Sequence, residues 1–447
     1  MHDMMVLALL AVIALLIAFW IVVLCLKHYE LAIFLVVLSP WISAIFVPNT
    51  LTFVDDSGGT IGSYLRISLF MLMGVVGVIK YFQERAVDLE PIPVHFILLG
   101  AFALFALLST AYSIDQKFTF IRAATFMPLL GFLLGLNRWL RDRDHLNKLM
   151  NTIFWAFCFC LLINIIAMPL FPDRVWWISD RGRFMGLWSQ PNQFGGFCMI
   201  SYPAFYWKIS NTNSRTKWFL AFLVLCMACL HVLTGSRTTL IASALGTCIW
   251  LLVLRKPIKF VLMIFGMTFL VILALALKPP NLTRGQGFES ISTFTGRTQI
   301  WSAAATLAKE RLLLGYGYGV SGKIFEDPRF YNPKLEFWTG TARLSLHNGY
   351  LSIVISLGLL GSLLLYLLLF LPFYRGRKDI EDQYKALMLT VIFMAFLTNF
   401  LESVIGGSSG LISLVLWILW VVAGKIPVID REKNSYAYQQ VLQGELS

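Results

Sequence analysis

Long runs of hydrophobic residues, separated by short polar loops, occupy most of the 447-residue chain. About a dozen runs have the roughly 17–25 residues that an α-helix needs to cross a bilayer. The strict alternation of a transmembrane β-barrel does not occur. The pattern predicts an all-α, polytopic integral membrane helical bundle with about 12–13 transmembrane helices. The predicted spans are 5–26, 31–48, 64–80, 94–111, 119–136, 149–170, 193–208, 217–235, 238–254, 260–277, 348–373, 386–401 and 409–424.

The composition agrees with residence in a bilayer. Hydrophobic residues make up 58% of the sequence and charged residues 13%, a balance that no water-soluble fold needs. The first run is too long for a signal-peptide core and lacks a small-residue cleavage site, so we expect a retained anchor helix. All seven cysteines lie inside apolar runs, which argues against disulfides and against a thiol-bound metal.

Lysine and arginine predict which loops face the cytoplasm. More than half of the 36 basic residues fall on one side, in short loops such as 137–148, 208–217 and 374–385. The opposite side has fewer basic residues in longer loops, including 171–192 and 278–346. The net charge of +12 is therefore mainly a topology signal, and the second set of loops is expected to face outward.

Nothing along the chain suggests a second domain, so residues 1–447 are predicted to form a single membrane domain. The loop 278–346 is too long for a connector and is predicted to be a functional cap. An amphipathic stretch that begins near Thr298 is expected to lie on the membrane surface as a helix. The polar segment 425–447 is predicted to be a cytoplasmic tail.

Four arginines on the predicted outer face are candidate anion ligands. Arginine is costly near a bilayer unless it faces a wet cavity or an anion, and its planar fork suits diphosphate oxygens. Arg237 leads this set because it lies in a very short turn, Thr234-Gly-Ser-Arg237, on the side where positive charge is disfavoured. The alternative for each is a side chain that extends to lipid headgroups. The four are Arg183, Arg237, Arg297 and Arg343.

His347 is the candidate general base. Of the six histidines, it alone joins an arginine-rich loop to a hydrophobic helix. A neutral imidazole there could take a proton from a bound hydroxyl, or it could simply be a helix-entry residue that bonds a backbone carbonyl. Asn348 could cap the helix or bind substrate. Glu402, at the outer end of a late span, could be a further acid or a helix-end charge.

Two signals for cofactors or metals are weak. The segment Gly317-Tyr-Gly-Val-Ser-Gly322 has the spacing of a dinucleotide fingerprint, but it follows no strand and opens no βαβ unit. Asp55 and Asp56 are adjacent carboxylates without an evident partner ligand, which is typical of a solvated turn. We therefore expect neither a cofactor nor a metal.

Four segments, in order over about 183–361, resemble the bacterial O-antigen ligase and polysaccharide polymerase superfamily. Each motif alone is weak, but together they lie on one predicted membrane face. They are Arg183-x-x-Gly186 with Pro191-Asn192; Thr234-Gly-Ser-Arg237; Thr295-Gly-Arg297-Thr-x-x-Trp301 leading to Gly315-Tyr-Gly-Tyr-Gly; and His347-Asn348-Gly-Tyr-Leu with Gly358-Leu-Leu-Gly.

The resemblance implies a metal-independent glycosyltransferase at the periplasmic face of the bacterial inner membrane. Such an enzyme takes a glycan from an undecaprenyl-diphosphate carrier and passes it to a sugar hydroxyl. Arg237 and Arg297, with Arg183, would bind the diphosphate. His347 would activate the acceptor, supported by Asn348 and Arg343. Flippase and chain-length regulator proteins are candidate partners, membrane lipids surround the chain, and no nucleic acid is expected.

The acceptor is the open question. The Thr-Gly-Arg-Thr-x-x-Trp and Gly-Tyr-Gly-Tyr-Gly segments look closer to exopolysaccharide and O-antigen repeat-unit polymerases than to ligases, whose acceptor is the lipid A core. Protein O-oligosaccharyltransferases usually carry added C-terminal sequence, so they are a third choice. A transporter would need ionisable residues within its spans and an internal repeat. Only Arg122, near a span end, approaches the first condition, and no repeat is present.

Overall fold

A computed structural model describes residues 16–46, 61–85, 91–177, 182–264, 297–327, 329, 346–376, 381–408 and 410–426. These residues are largely helical, which confirms the prediction of an all-α, polytopic membrane bundle. One two-residue antiparallel pair, Trp176–Trp177 with Arg183–Phe184, is also present. The main helices are α1 Leu16–Lys27, α2 Tyr29–Ile45, α3 Ile61–Arg85, α4 Val94–Leu108, α5 Gln116–Ala124, α6 Phe126–Trp139, α7 Arg143–Leu170, α8 Pro172–Val175, α9 Pro191–Ser210, α10 Ser214–Leu233, α11 Arg237–Val253, α12 Arg297–Glu310, α13 Gly349–Gly376, α14 Asp382–Asn399 and α15 Leu411–Ile426.

The described residues hold six helices that are long and apolar enough to cross a membrane: α3, α4 with its last turn, α5 with α6, α7, α10 and α13. A seventh candidate is the pair α1 and α2, which bend by 119° at His28. The predicted number of about 12–13 is larger because it also counts shorter or less apolar helices, such as α11, α15, α9 and α14. Most of the predicted span 260–277 lies outside the described residues.

Helix α15 lies at the centre of the bundle. Every residue from Leu414 to Ala423 is buried, and Trp417 and Trp420 are almost fully enclosed. Their indole N–H groups donate to the carbonyls of Gly407 and Leu368 at 3.1 and 2.8 Å, so their polar atoms are satisfied. A helix that is hydrophobic on all sides belongs inside a bundle. Helix α10 is the opposite case, since Trp218 and its apolar neighbours are exposed, as expected for a lipid-facing helix.

Helix α13 is interrupted at Gly358, whose φ of 65° and ψ of −166° are not helical. The segment after α12 supplies bonds at the interruption. Leu359 N–H donates to the Leu312 carbonyl, and Tyr316 N–H donates to the Ile355 carbonyl, both at 2.8 Å. Broken helices are tolerated in membranes when other protein groups satisfy the freed backbone. The break therefore ties the end of α12 to α13.

We expect Gly358→Ala to destabilise the protein by at least about 2 kcal/mol, because an L-residue is strained at this positive φ. The added Cβ would also lie 2.2 Å from the Leu313 carbonyl oxygen. Gly100→Ala in α4 is the control, since its Cβ would meet nothing within 4 Å. Melting temperature and monodispersity in detergent check the pair. Equal melting temperatures for the two variants would contradict this explanation of the break.

Loops predicted to share the basic side meet at one end of the bundle. Arg143 at the start of α7 forms an ion pair with Glu381, N to O 2.7 Å. The Asn211 amide after α9 donates to Gln383 at 2.6 Å. The polar contacts of the opposite end gather around Glu402, and they form the candidate functional site.

Candidate active site at one end of the bundle

Arg183 connects several elements at this end of the bundle through its hydrogen bonds. Its side chain, which was predicted to bind the diphosphate together with Arg237 and Arg297, is buried. The Nε–H donates to the Thr234 carbonyl at 2.6 Å, and Nη2 donates to the Asn192 side-chain oxygen at 2.8 Å. Asn192, near the start of α9, in turn donates to Glu402 Oε1 at 3.1 Å. Arg183 thus links the hairpin, α9 and the turn before α11.

The turn before Arg237 is fixed by its own hydrogen bonds. Gly235 has a left-handed φ of 59°. The Thr234 hydroxyl donates to the His231 carbonyl at 2.6 Å and accepts from the Ser236 N–H at 3.1 Å. His231 is buried and contacts Thr239 one turn into α11, with Nε2 and Oγ1 2.9 Å apart. These contacts hold the first residue of α11, Arg237, in one place.

Arg237 lies in a cluster of like charges. Its guanidinium is half-buried, and the positive charges of Arg183 and Arg297 act on it repulsively. Among the residues that the structure describes, it has no hydrogen-bond or ion-pair partner. Arg237 thus experiences the positive charges of two other guanidinium groups and, within the described part of the chain, no counter-charge, which is an environment that favours a bound anion.

Arg297, the first residue of α12, contacts the loop after α14. Its Nη1 donates to the Leu401 carbonyl, and its Nη2 donates to Glu402 Oε1 at 3.3 Å. The structure therefore brings together three of the four predicted arginines. Arg343 lies outside the described residues, as does most of the predicted cap 278–346.

Glu402, whose role the sequence left open between a further acid and a helix-end charge, lies at the centre of these contacts. Besides Asn192 and Arg297, it contacts His347, with Nδ1 3.0 Å from Oε2. Burial raises the pKa of this carboxyl, but the hydrogen bonds and charges of His347 and Arg297 outweigh that effect, and the pKa falls below its ordinary value of 4.5. A negative charge at this position offsets part of the arginine cluster. The available signal was one carboxylate at the outer boundary of an apolar run.

His347 precedes α13 with its ring against the Glu402 carboxylate. When Nδ1–H donates to that carboxylate, Nε2 carries the lone pair and is the basic nitrogen. The Asn348 side-chain oxygen accepts from the Leu351 N–H at 3.0 Å, so Asn348 caps the helix. The geometry places a carboxylate-oriented imidazole in the same polar cluster as the arginines.

We expect the stability contributed by ionised Glu402 to depend on pH. Its folded-state pKa lies below the unfolded value, so this stability is fully present above about pH 5 and is lost as pH falls through the folded pKa. Melting temperatures of wild type and Glu402→Gln should therefore differ most near neutral pH and converge in acid. Asp382→Asn, at an exposed position on the opposite end, is the control. A difference in melting temperature between wild type and Glu402→Gln that widens in acid would contradict the lowered pKa of Glu402.

A cavity of about 270 Å³ adjoins the cluster, and its walls are mainly apolar. It lies between the starts of α11 and α12 on one side and the end of α14 on the other. Asn348 and Thr238 place it beside His347 and Arg237. An apolar space next to a cationic cluster can hold a ligand that is itself amphipathic. The lining residues are Thr238, Ile241, Trp301, Asn348, Leu397, Phe400 and Leu401.

Within the described ranges, no group of three His, Cys, Asp or Glu residues could hold a metal ion. Asp55 and Asp56 lie outside those ranges. The expectation that neither a metal nor a cofactor takes part stays a prediction.

Comparison with known proteins adds a family match. The O-antigen ligase family model matches residues 222–366, which include Arg237, Arg297 and His347 but neither Arg183 nor Glu402. The matched segment joins α10 to α13 and carries three of the four motifs described above. Together with the relatives below, this match confirms the resemblance to the ligase and polymerase superfamily.

Two curated relatives align with much of the chain. The ComP-specific O-oligosaccharyltransferase of Acinetobacter baylyi is 24% identical over 378 residues, which cover 80% of this chain and 66% of the relative. The exopolysaccharide production protein ExoQ of Rhizobium meliloti is 25% identical over 270 residues, which cover 56% and 60%. The chain therefore spans less than two thirds of the length of each relative.

Proposed function

We propose that this chain, which carries the O-antigen ligase domain, is a membrane glycosyltransferase that moves a glycan from undecaprenyl diphosphate to a sugar hydroxyl. The observation that carries the proposal is the juxtaposition of the Arg237 guanidinium, repelled by Arg183 and Arg297, with the Glu402–His347 pair. An anion site and a general base in one cluster are the two elements that such a transfer needs.

The donor half of the reaction is assigned to the arginines. When the bond between the anomeric carbon and the diphosphate oxygen breaks, the electron pair stays on the diphosphate. Arg237 would bind that developing charge through bidentate hydrogen bonds, and Arg297 through the N–H groups that its bonds to Leu401 and Glu402 leave available. Arg183 would act mainly by holding the Arg237 turn, because it already donates to Thr234 and Asn192.

The acceptor half is assigned to His347. The Nε2 lone pair would take the proton of the acceptor hydroxyl while its oxygen attacks the anomeric carbon from the side opposite the diphosphate. Glu402 would hold the tautomer and offset the charge of the resulting imidazolium, as a carboxylate beside a catalytic histidine does. A direct displacement of this kind inverts the anomeric configuration.

We also propose that the site faces the periplasm at the inner membrane, and that the segment 278–346 forms a cap whose Arg343 supports it. The site is grouped at the end opposite the Arg143 and Asn211 contacts, and lysine and arginine favour the cytoplasm for those loops. A lipid-linked donor also requires a site at the bilayer edge. Flippase and chain-length regulator proteins are proposed partners.

A repeat-unit polymerase is the function we favour. The exopolysaccharide name of the Rhizobium relative supports a polymerase, whereas the Acinetobacter relative is named for transfer to ComP. O-antigen ligase activity toward the lipid A core is the second candidate, supported by the description of the matched family. These three acceptors are chemically distinct, so they can be separated directly.

Purified protein in nanodiscs would be given one undecaprenyl-diphosphate repeat unit, either alone or with lipid A core or a pilin-type protein. A ladder of products from the donor alone is expected for a polymerase. Product that requires lipid A core would move the assignment to a ligase, and product on the protein would move it to an oligosaccharyltransferase. No product with any acceptor would contradict the proposed function.

A further inference from the structure

His347 has an unusual backbone conformation. Its φ of 45° is left-handed, and among the described non-glycine residues only Arg255 shares a positive φ. Left-handed φ costs an L-residue on the order of 1 kcal/mol, so surrounding contacts must maintain it. Arg255 has a local reason, since it follows α11 and the Lys256 N–H donates to the Leu251 carbonyl, as in a Schellman helix end. His347 precedes a helix, so that explanation does not apply.

Contacts on both sides of His347 set this angle. Rotation about φ turns the peptide plane that contains the Leu346 carbonyl relative to the helix that follows. The Trp301 indole N–H donates to that carbonyl at 2.8 Å, and Leu346 itself is buried. On the other side, the Asn348 cap fixes the start of α13. The Glu402 contact then fixes the ring.

Trp301 lies four residues after Arg297 on α12, so both side chains share one helix face about 6 Å apart along the axis. One side chain reaches the Glu402 carboxylate, and the other holds the peptide before His347. A single turn of α12 therefore separates the proposed diphosphate ligand from the group that sets the backbone of the proposed base.

We propose that Trp301 is a positioning residue: its indole N–H holds His347 in the left-handed conformation that aligns the imidazole with the donor site. The inference rests on the proposed function and adds to it a fixed spacing between donor and acceptor halves. The indole ring also lines the apolar cavity, but that contact needs no N–H.

Trp301→Phe removes the N–H and keeps an aromatic ring. We expect kcat to fall about fivefold to tenfold, as for loss of one hydrogen bond, with the donor KM changed less than twofold because Arg237 and Arg297 are untouched. Trp420→Phe is the matched control, since it also removes a 2.8 Å indole–carbonyl bond but in the central helix. It should show a comparable loss of melting temperature with wild-type kcat. Equal kcat losses in the two variants, or a Trp301→Phe effect on KM alone, would overturn the inference.

A second measurement decides the inference without activity. His347→Gly removes the left-handed strain, so its change in melting temperature is compared in the wild-type and Trp301→Phe backgrounds. If Trp301 maintains the strain, His347→Gly should raise the melting temperature more, or lower it less, in the wild-type background than in the Trp301→Phe background. Equal changes in melting temperature in the two backgrounds would overturn the inference. Absence of transfer by the wild type would contradict the proposed function. It would leave this inference about Trp301 testable, because the comparison of melting temperatures does not need activity.

Discussion

Alanine in place of His347 is expected to lower kcat by about 10²–10⁴-fold, the usual contribution of a general base. The acceptor hydroxyl is a weak nucleophile at neutral pH, and in the described cluster the imidazole is the group suited to take its proton. The Glu402 carboxylate contacts Nδ1 rather than the side of the ring that carries the Nε2 lone pair, so it is not placed to take that proton. Product formation by purified protein, normalised to its level in the membrane, measures the effect.

Two further substitutions separate chemistry from structure. His347→Asn keeps a side chain that tolerates left-handed φ but supplies no base, so it should be as inactive as alanine with a near wild-type melting temperature. His28→Ala, at an exposed histidine between α1 and α2 with no side-chain capping bond, should transfer normally. Normal glycan output from His347→Ala at a normal membrane level would exclude His347 as the base.

The second large effect is expected at Arg237. Arg237→Ala should lower kcat/KM by about 10²–10³-fold, as for loss of one preorganised transition-state contact. Arg237→Lys should recover only part of this, because an ammonium keeps the charge and loses the bidentate fork. Inhibition by added undecaprenyl diphosphate should weaken in parallel, since the released carrier uses the same site.

The matched control is Arg215→Ala, an exposed arginine at the opposite end of α10. It carries the same change in net charge and lies away from the cluster, so its kcat/KM should equal that of wild type. A value for Arg237→Ala within threefold of wild type would contradict the assignment of the donor site.

Much of the fold was predictable because bilayer-spanning helices leave a strong local signal. Hydrophobic runs placed α4, α9, α11 and α13 close to their observed bounds. The 119° bend at His28 was not predicted. Hydropathy does not report helix bends, and no proline stands at that position to indicate one. The break at Gly358 depends on backbone bonds that Leu359 donates to Leu312 and Tyr316 donates to Ile355, and these partners are distant in sequence.

The site was predictable in part for a similar reason. Arg237 and Arg297 stand out because arginine is costly near a membrane, and His347 because it joins a polar loop to an apolar helix. Their convergence depends on tertiary contacts, and so does the role of Glu402, which lies 55 residues from its partner His347. The buried bonds of Arg183 to Thr234 and Asn192 could not be predicted from the sequence, and its role as a diphosphate ligand stays a prediction.

We propose that this cluster transfers sugar by cleaving the bond between the anomeric carbon and a lipid diphosphate. The most direct test is mass spectrometry of the lipid product when purified protein reacts with a synthetic undecaprenyl-diphosphate repeat unit. We expect one undecaprenyl diphosphate to be released for each glycosidic bond formed, with the anomeric configuration of the new linkage inverted. Release of undecaprenyl monophosphate, or of carrier without a new glycosidic bond, would contradict it.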